Sequence, residues 1–368
     1  MLIDNRSFRA ARAWPTTMPD GGEALVIAVK ATFHQPPGTT TWQAVPSVAW
    51  IEADTFVGEP GLSPPLLETD FTPTKPLCDV IVLGQVHPPA DEPEATRCTA
   101  GLRVGPIDKA WAVFGARTWE RRLFGWRTSE AQVLTPVPLH YGSAFGGADV
   151  LHPDEARRRV HQHNPCGVGF YGDAPKDLIV GQPLPTFEVI TDPVRAPDIE
   201  HRAIAAGVIG RAWRPRRTHA GTYDAQWQEH QAPFLPADFS PHFFNSAPED
   251  QRMPYPTGGE EFDLGNLTPD GWWTFALPAL TEEAEIFPIR GESQPAQLVV
   301  DTVVIEPDSR RLTLTARATV PLTMELEALE RVVIGPVSDG WRRARRLGKR
   351  WRPHSASPVA GTIVAALL

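Results

Sequence analysis

Cysteine is scarce in this chain of 368 residues: Cys78, Cys98 and Cys166 are odd in number, far apart and free of any Cys-x-x-Cys pair. A disulfide framework is thereby excluded, and a reducing compartment fits best. Long apolar runs are lacking as well. The opening text MLIDNRSFRAARAW holds no stretch of signal-peptide length, and VAGTIVAALL is about half of the ~20 residues needed to cross a bilayer. A cytoplasmic protein without membrane insertion is expected. Positive charge is not in excess either, because the formal net charge is −9. Nucleic-acid affinity comes mainly from cations that neutralise phosphates, so wholesale nucleic-acid binding is not expected.

What is plentiful is proline, 39 residues against an average usage of about 5%. Interior proline removes a helical hydrogen bond and clashes with the preceding turn, so long helices are disfavoured through most of the chain. Hydrophobic residues make up 42%, enough for a sizeable core in one large or two ordinary domains. Strand-length apolar runs rich in β-branched residues occupy Ala24 to Phe33, Asp79 to Val86, Thr99 to Val104 and Ala110 to Phe114. Turn clusters such as HQPPGTTT and HPPADEPEA separate them, a spacing typical of antiparallel β architecture.

From about Leu134 to Leu280 regular periodicity gives way to Pro- and Gly-rich text, which predicts short strands joined by long ordered loops, with one helical turn at Asp154 to Val160. Gln297 to Val320 reads as a hairpin turned at Pro307-Asp308-Ser309. Val299, Asp301, Val303 and Ile305 are expected on one face of its first strand, and Leu312, Leu314, Ala316 and Ala318 on one face of its second. Met324 to Val333 and Trp341 to Trp351 look helical. The expected fold is mainly β: an antiparallel, sandwich- or barrel-like body over residues 1–320, with room for two lobes meeting near 130–150, and a helical basic tail over 321–368.

Several constellations invite a chemical reading. Gly167-Val168-Gly169-Phe170-Tyr171-Gly172 matches the dinucleotide pattern in letters only, since neither a strand before it nor a helix after it is legible; glycine-permitted turns explain it. His161, His163 and Cys166 suggest a soft-metal site with His152 as the nearest further donor, but a convincing fourth ligand is missing and ordinary loop histidines suffice. Ser143 in YGSAFGG fails the nucleophile-elbow pattern, having Tyr141 and Phe145 where glycines are needed. Gly146-Gly147 instead suits a positive-φ turn, as does Gly258-Gly259. The acids Glu260, Glu261 and Asp263 suit either a glycosidase pair or loop capping. No metal, cofactor or catalytic residue is assigned.

Residues 211–278 are dense in Trp, Phe, Pro, Arg and Asp, the composition of a recognition surface. Trp213, Arg214, Arg216, Tyr223 and Trp227 are either interface anchors, or Trp213 and Trp227 pack in the core while the arginines pair with Asp224 and Glu229. Seven cations and no acid lie between Trp341 and Arg352, taking the remainder of the chain from −9 to −16. At helical spacing Arg342, Arg345, Arg346 and Lys349 share one side. That stripe suits an acidic partner, nucleic acid or anionic lipid, or is simply a solvated helix face.

Taken together, DFTPTKPLCDVIVLG (with Asp70, Lys75, Pro76, Asp79 and Gly84), YGSAFGG, NPCGVGF, WRPR, AGTYDAQW, LPADF, HFFNSAPEDQ, GGEEFDLGNLTPDG and DTVVIEP resemble the DUF2169 family, found beside type VI secretion genes in Gram-negative bacteria. The resemblance spans about residues 24–320, with two departures: Gly142 where an acid is expected, and Ala316 where Trp is expected. It implies a non-catalytic adaptor or chaperone that engages a type VI secretion effector and helps load it onto a VgrG- or PAAR-type spike protein. The alternatives are a carbohydrate-active hydrolase using the acids near Glu260, and a structural component of the spike. With no nucleotide motif, release is expected by competition with spike assembly. Arg214, Arg216, Asp224 and Trp227 are expected to organise the partner surface, with Gly146, Gly147, Gly167, Gly169, Gly258 and Gly259 shaping loops. Arg216→Ala should then weaken capture with little change in melting temperature, whereas a large drop would mark a buried structural pair.

Overall fold

The computed structural model describes residues 1–322 and 325–351 and is mainly β, with few and short helices. Its centre is a seven-stranded sheet. Arg252–Met253, Cys78–Val82, Val299–Glu306, Arg311–Pro321, Glu23–His34 and Ala10–Thr17 lie side by side, and Gln43–Val45 pairs with Glu23–His34. All its contacts are antiparallel except that between Cys78–Val82 and Val299–Glu306. A five-stranded antiparallel sheet follows the order Phe187–Glu188, Ile107–Phe114, Arg97–Val104, Glu261–Gly265, Trp272–Ala276. A four-stranded sheet joins Leu2–Asn5, Leu329–Ile334, Ala284–Pro288 and Gln294–Ala296.

Alternation along the long strand Glu23–His34 explains how these layers stack. Its odd residues share one face: Leu25, Ile27 and Val29 pack with Ile3, Ile286, Val332 and Ile334 of the four-stranded sheet. Ala31 and Phe33 enter the larger core with Leu102, Trp111, Phe262, Leu264, Trp273 and Phe275 of the five-stranded sheet. One apolar face is thus covered by two smaller sheets. Ala24, Val26 and Ala28 on the opposite face are also fully buried, so the strand is apolar on both faces over residues 24–29, beyond which Lys30 and Thr32 make the opposite face polar.

The hairpin turns where expected, at Pro307–Ser309, with Arg310 in the left-handed region. Its first strand departs from simple alternation. A register shift between Val300 and Thr302 marks a bulge, so Val300, Val303 and Ile305 enter the core while Asp301 turns to the other face to meet Arg317. Without the bulge a carboxylate would project into apolar surroundings. Ala316, one of the two family departures, lies within the larger core, where a bulkier side chain would have to displace its neighbours.

Strands from either side of residues 130–150 hydrogen-bond within the same sheets, as Glu23–His34 does with Arg311–Pro321 and Arg97–Val104 with Glu261–Gly265, so a boundary there divides neither sheet. The tail needs a correction. Met324 lies outside the described residues, Leu326–Ala328 is a single 3-10 turn, and Leu329–Ile334 is a strand rather than a helix. Its Val332, Val333 and Ile334 are β-branched and buried, which suits a strand covered on both faces. A helix does follow, over Asp339–Arg346, with Ser338 accepting from the Trp341 N–H as N-cap. The expected turn at Asp154–Val160 is a 3-10 helix, Glu155–Arg157, capped by Asp154. All three cysteines are free thiols. No helix among the described residues is long and apolar enough to cross a membrane.

Because Asp301 and Arg317 are both buried and paired, Arg317→Ala should destabilise the fold by about 3–5 kcal/mol in urea unfolding. The double variant Asp301→Val/Arg317→Met should recover most of that loss, since it leaves no unpaired buried charge.

Candidate functional site

The second face of the central sheet is polar, yet covered. Lys30, Thr302, Thr313, Thr315 and Arg317 line a cavity of about 190 Å³ whose other wall is a strap of residues 48–75 carrying Asp70, Thr72 and Lys75. Lys30 pairs with Asp70, Lys75 with Asp79 at 2.8 Å, and Arg317 with Asp301. Arg317 also donates to the Asp70 carbonyl at 2.9 Å, so strap and sheet are stitched twice. Asp79 accepts from the Ser246 N–H at 2.8 Å and from Asn245 Nδ2 at 2.9 Å. Burial alone would raise the Asp79 carboxyl, but the Lys75 ammonium and the Ser246 and Asn245 donors outweigh it and hold it below the ordinary carboxylate value. Burial, then the Asp301 and Asp79 charges, push the neighbouring Cys78 thiol well up, so it stays protonated. Three motifs far apart in sequence, DFTPTKPLCDV, HFFNSAPEDQ and DTVVIEP, meet in this one layer.

Arg216 continues the layer and is not the surface anchor expected above. It is buried, and its five N–H donors are all used: two on Glu68 of the strap, one on the Ile209 carbonyl at 2.9 Å, and two on the Phe243 carbonyl at 3.1 and 2.7 Å. Arg216 lies on the four-residue helix Arg214–Arg217, whose first turn holds Pro215, where a missing N–H costs no helical hydrogen bond. Sequence spacing gave no sign of Glu68, which lies 148 residues away in the chain. Trp213 is also buried, edge-on to Tyr141 with ring centres 5.6 Å apart.

The residues that do face solvent form a small aromatic platform. Asp224 caps the short helix Ala225–His230 by accepting from the Trp227 N–H at 2.9 Å. Trp227 donates its indole N–H to the Phe234 carbonyl at 2.9 Å, and Tyr223 meets it edge-on at 4.8 Å. Tyr223 is 54% exposed and Phe234 42%. Arg214 and Arg217 are exposed on their own short helix, where Arg217 donates to the Gln162 side chain at 3.1 Å, and neither arginine pairs with Asp224 or Glu229 among the described residues. Phe234 was not singled out by sequence; its only signal is an apolar residue between prolines in the text APFLP.

The other candidates take structural roles. Phe145–Gly146 and Val168–Gly169 form a parallel pair, with Gly147 at φ +104° and Gly169 at φ +100°. A Cβ on Gly147 would lie 2.6 Å from the Gly167 carbonyl oxygen, and one on Gly167 would lie 2.6 Å from that of Ala144, so the NPCGVGF loop is a close backbone crossing. Gly146, Gly258 and Gly259 also have positive φ. Ser143 Oγ donates to the Pro138 carbonyl. His161 comes near His163 and Glu200, not Cys166. Both its ring nitrogens meet backbone groups, the Asn164 N–H at 3.2 Å and the His201 carbonyl at 3.1 Å, which leaves His163 and Glu200 as the free donors of that group. Glu260 accepts from the Thr257 and Gly258 N–H groups, a local capping role, while Asp263 lies in the strand Glu261–Gly265 and accepts from the hydroxyl of its cross-strand partner Thr274.

The basic helix is docked. Trp341 packs edge-on against Phe287 at 4.9 Å, Arg342 pairs with Glu285, and Arg345 pairs with Glu330 at 2.8 Å. Arg346 faces solvent.

Two outcomes follow from this geometry. Arg216→Ala should cost about 3–5 kcal/mol in chemical denaturation, because it strips the buried Glu68 carboxylate of its two-pronged partner and leaves it only the 3.4 Å contact with Arg211, and Arg216→Lys should not restore the loss, since one ammonium cannot replace the fork. Asp79, held below its unfolded value of about 3.9, contributes stability that is present above that pH and lost as pH falls through its folded value. The acid side of a melting-temperature profile should therefore flatten in Asp79→Asn.

No curated protein and no solved structure matches the chain. One family does match, described as "Uncharacterized protein conserved in bacteria", and it covers residues 20–317, from the edge of the first long strand to the arginine that closes the buried ionic layer. The chain belongs to the DUF2169 family.

Proposed function

We propose that this protein is a non-catalytic adaptor that holds a partner protein through the platform of Tyr223, Trp227 and Phe234, with the exposed Arg214 of the preceding helix as a further contact. The observation that carries the reading is the contrast between the two sides of residues 211–243. Arg216 and Trp213 lock the segment to the body, while Tyr223 and Phe234 stand exposed on a short capped helix and its loop. Rigid aromatic groups supply contact area at low ordering cost, which suits recognition. The side chains that resembled catalytic groups are engaged with their own backbone, Ser143 and Glu260 among them. On the family resemblance, the partner is a type VI secretion effector and the destination a VgrG- or PAAR-type spike protein, with loading in the cytoplasm of the producing cell.

Affinity purification of the tagged full chain from its native cell, followed by mass spectrometry, tests the proposal. A toxin-like protein and a spike component should co-elute, and Tyr223→Ala/Arg214→Glu should reduce their recovery by about tenfold or more, with stability changed by less than about 0.5 kcal/mol because both side chains are exposed. Undiminished recovery with this variant would remove the platform from the interface. Absence of both proteins from the wild-type eluate would overturn the adaptor reading.

A further inference from the structure

Docking of the helix Asp339–Arg346 leaves an open cleft of about 1480 Å³ between it, the N-terminal residues Asp4–Phe8 and the loop at Ile289–Gly291. Seven cations line it, against two carboxylates. Arg6, Arg331 and Arg345 share those two acids: Arg6 reaches Asp4 at 2.7 Å, while Arg331 and Arg345 reach Glu330 at 2.9 and 2.8 Å. Arg290, Arg346, Lys349 and Arg350 are exposed and have no carboxylate at ion-pair distance among the described residues. The surplus of five cations in a chain of net charge −9 leaves −14 on everything else. Apolar groups share the cleft, namely Phe8 at 89% exposure, Ile289 and Trp351.

We propose that this cleft binds an acidic, apolar-containing segment of a partner polypeptide, an inference that rests on the adaptor reading and gives it a second contact. Charge complementarity sets the sign of the ligand, because unpaired guanidinium groups favour carboxylates and an acidic segment is steered here away from the remaining −14. Shape and apolar content set its class. A bilayer is too flat to enter a cleft between a helix and a sheet edge, and a nucleic-acid duplex offers no aliphatic side chains to Phe8, Ile289 and Trp351. A short chain segment that alternates carboxylates with apolar side chains satisfies both halves. The fixed orientation of the helix, set by Arg342 on Glu285 and Trp341 on Phe287, means that Arg346 is presented without further ordering of that element, with Lys349 and Arg350 just beyond its end.

The test uses the full chain and a fluorescent synthetic peptide of about 15 residues alternating Glu with Phe and Leu, followed by anisotropy, with a Lys-for-Glu peptide as control. Binding of the Glu peptide is expected, with none of the Lys peptide. Raising salt from about 0.05 M to about 0.5 M should weaken it by about tenfold or more, since the free cations are solvent-exposed. Arg346→Glu/Lys349→Glu/Arg350→Glu should weaken it by at least about tenfold with an unchanged melting temperature, because these side chains make no ion pairs among the described residues to lose. Equal affinity in that variant, or equal binding of the Lys peptide, would overturn the proposal. So would capture of a DNA duplex or of phosphatidylcholine vesicles containing phosphatidylglycerol in place of the peptide. Tyr223→Ala/Arg214→Glu should keep its peptide affinity. Lost partner recovery with intact peptide binding, or the reverse, therefore separates failure of the adaptor reading from failure of the cleft.

Discussion

The ionic layer on the outer face of the central sheet is the constraint on which the rest depends. A sheet buried on both faces normally carries apolar residues on both, yet here one face bears Lys30, Asp79, Asp301 and Arg317. Buried charge is tolerated only when paired and hydrogen-bonded, so each of these groups dictates where a second chain segment must lie. Asp70 and Lys75 bring the strap over the sheet. Asn245 and Ser246 bring in the segment that follows the aromatic platform, and Glu68 on the strap then receives Arg216. The platform is therefore positioned by a chain of ion pairs that begins in the core, and its exposed aromatics sit on a base with little freedom to shift.

Charge is handled differently at the two ends of the molecule. In the core Lys30, Lys75, Arg216 and Arg317 each find a specific carboxylate, and apolar replacements of the same shape would serve stability as well or better. What the buried pairs contribute is register: the bulge that turns Asp301 out of the apolar layer is meaningful only because Arg317 stands opposite. At the C-terminal helix the balance is reversed, with cations outnumbering acids and several left to solvent. An acidic body carrying one localised basic cleft is a directional arrangement, since the field of the whole chain repels anionic partners except at that place.

Much of the architecture was legible before any coordinates. Strand-length apolar runs rich in β-branched residues located the strands in Ala24–Phe33 and Thr99–Val104, the turn at Pro307-Asp308-Ser309 located the hairpin, and the abundance of proline disfavoured long helices. The glycines of the NPCGVGF loop were legible as loop formers, and the structure gives each a reason: Gly169 has a positive φ, and Gly167 stands where a Cβ would meet the Ala144 carbonyl oxygen. Asp154, Asp224 and Glu260 also appear in the local capping roles that their positions in loops suggest. The misreadings share a cause. Leu329–Ile334 has a mixed apolar pattern that fits a helix as well as a strand, and only the flanking strands Leu2–Asn5 and Ala284–Pro288 decide between them.

The sequence by itself determined the local conformational alphabet: which segments extend, where turns fall, which acids cap, and that the net charge is negative with a basic cluster near the C-terminus. Local propensity, period and charge are properties of neighbours in the chain, so they survive without tertiary knowledge. Only the tertiary structure decided that Arg216 is a core residue while Arg214, two positions earlier, faces solvent. It also decided that Glu200, not Cys166, lies beside His161 and His163, and that the basic helix turns Arg342 and Arg345 inward to Glu285 and Glu330. Each of these outcomes depends on a partner tens to hundreds of residues away or on the direction in which a short helix docks, and neither is encoded in spacing along the chain.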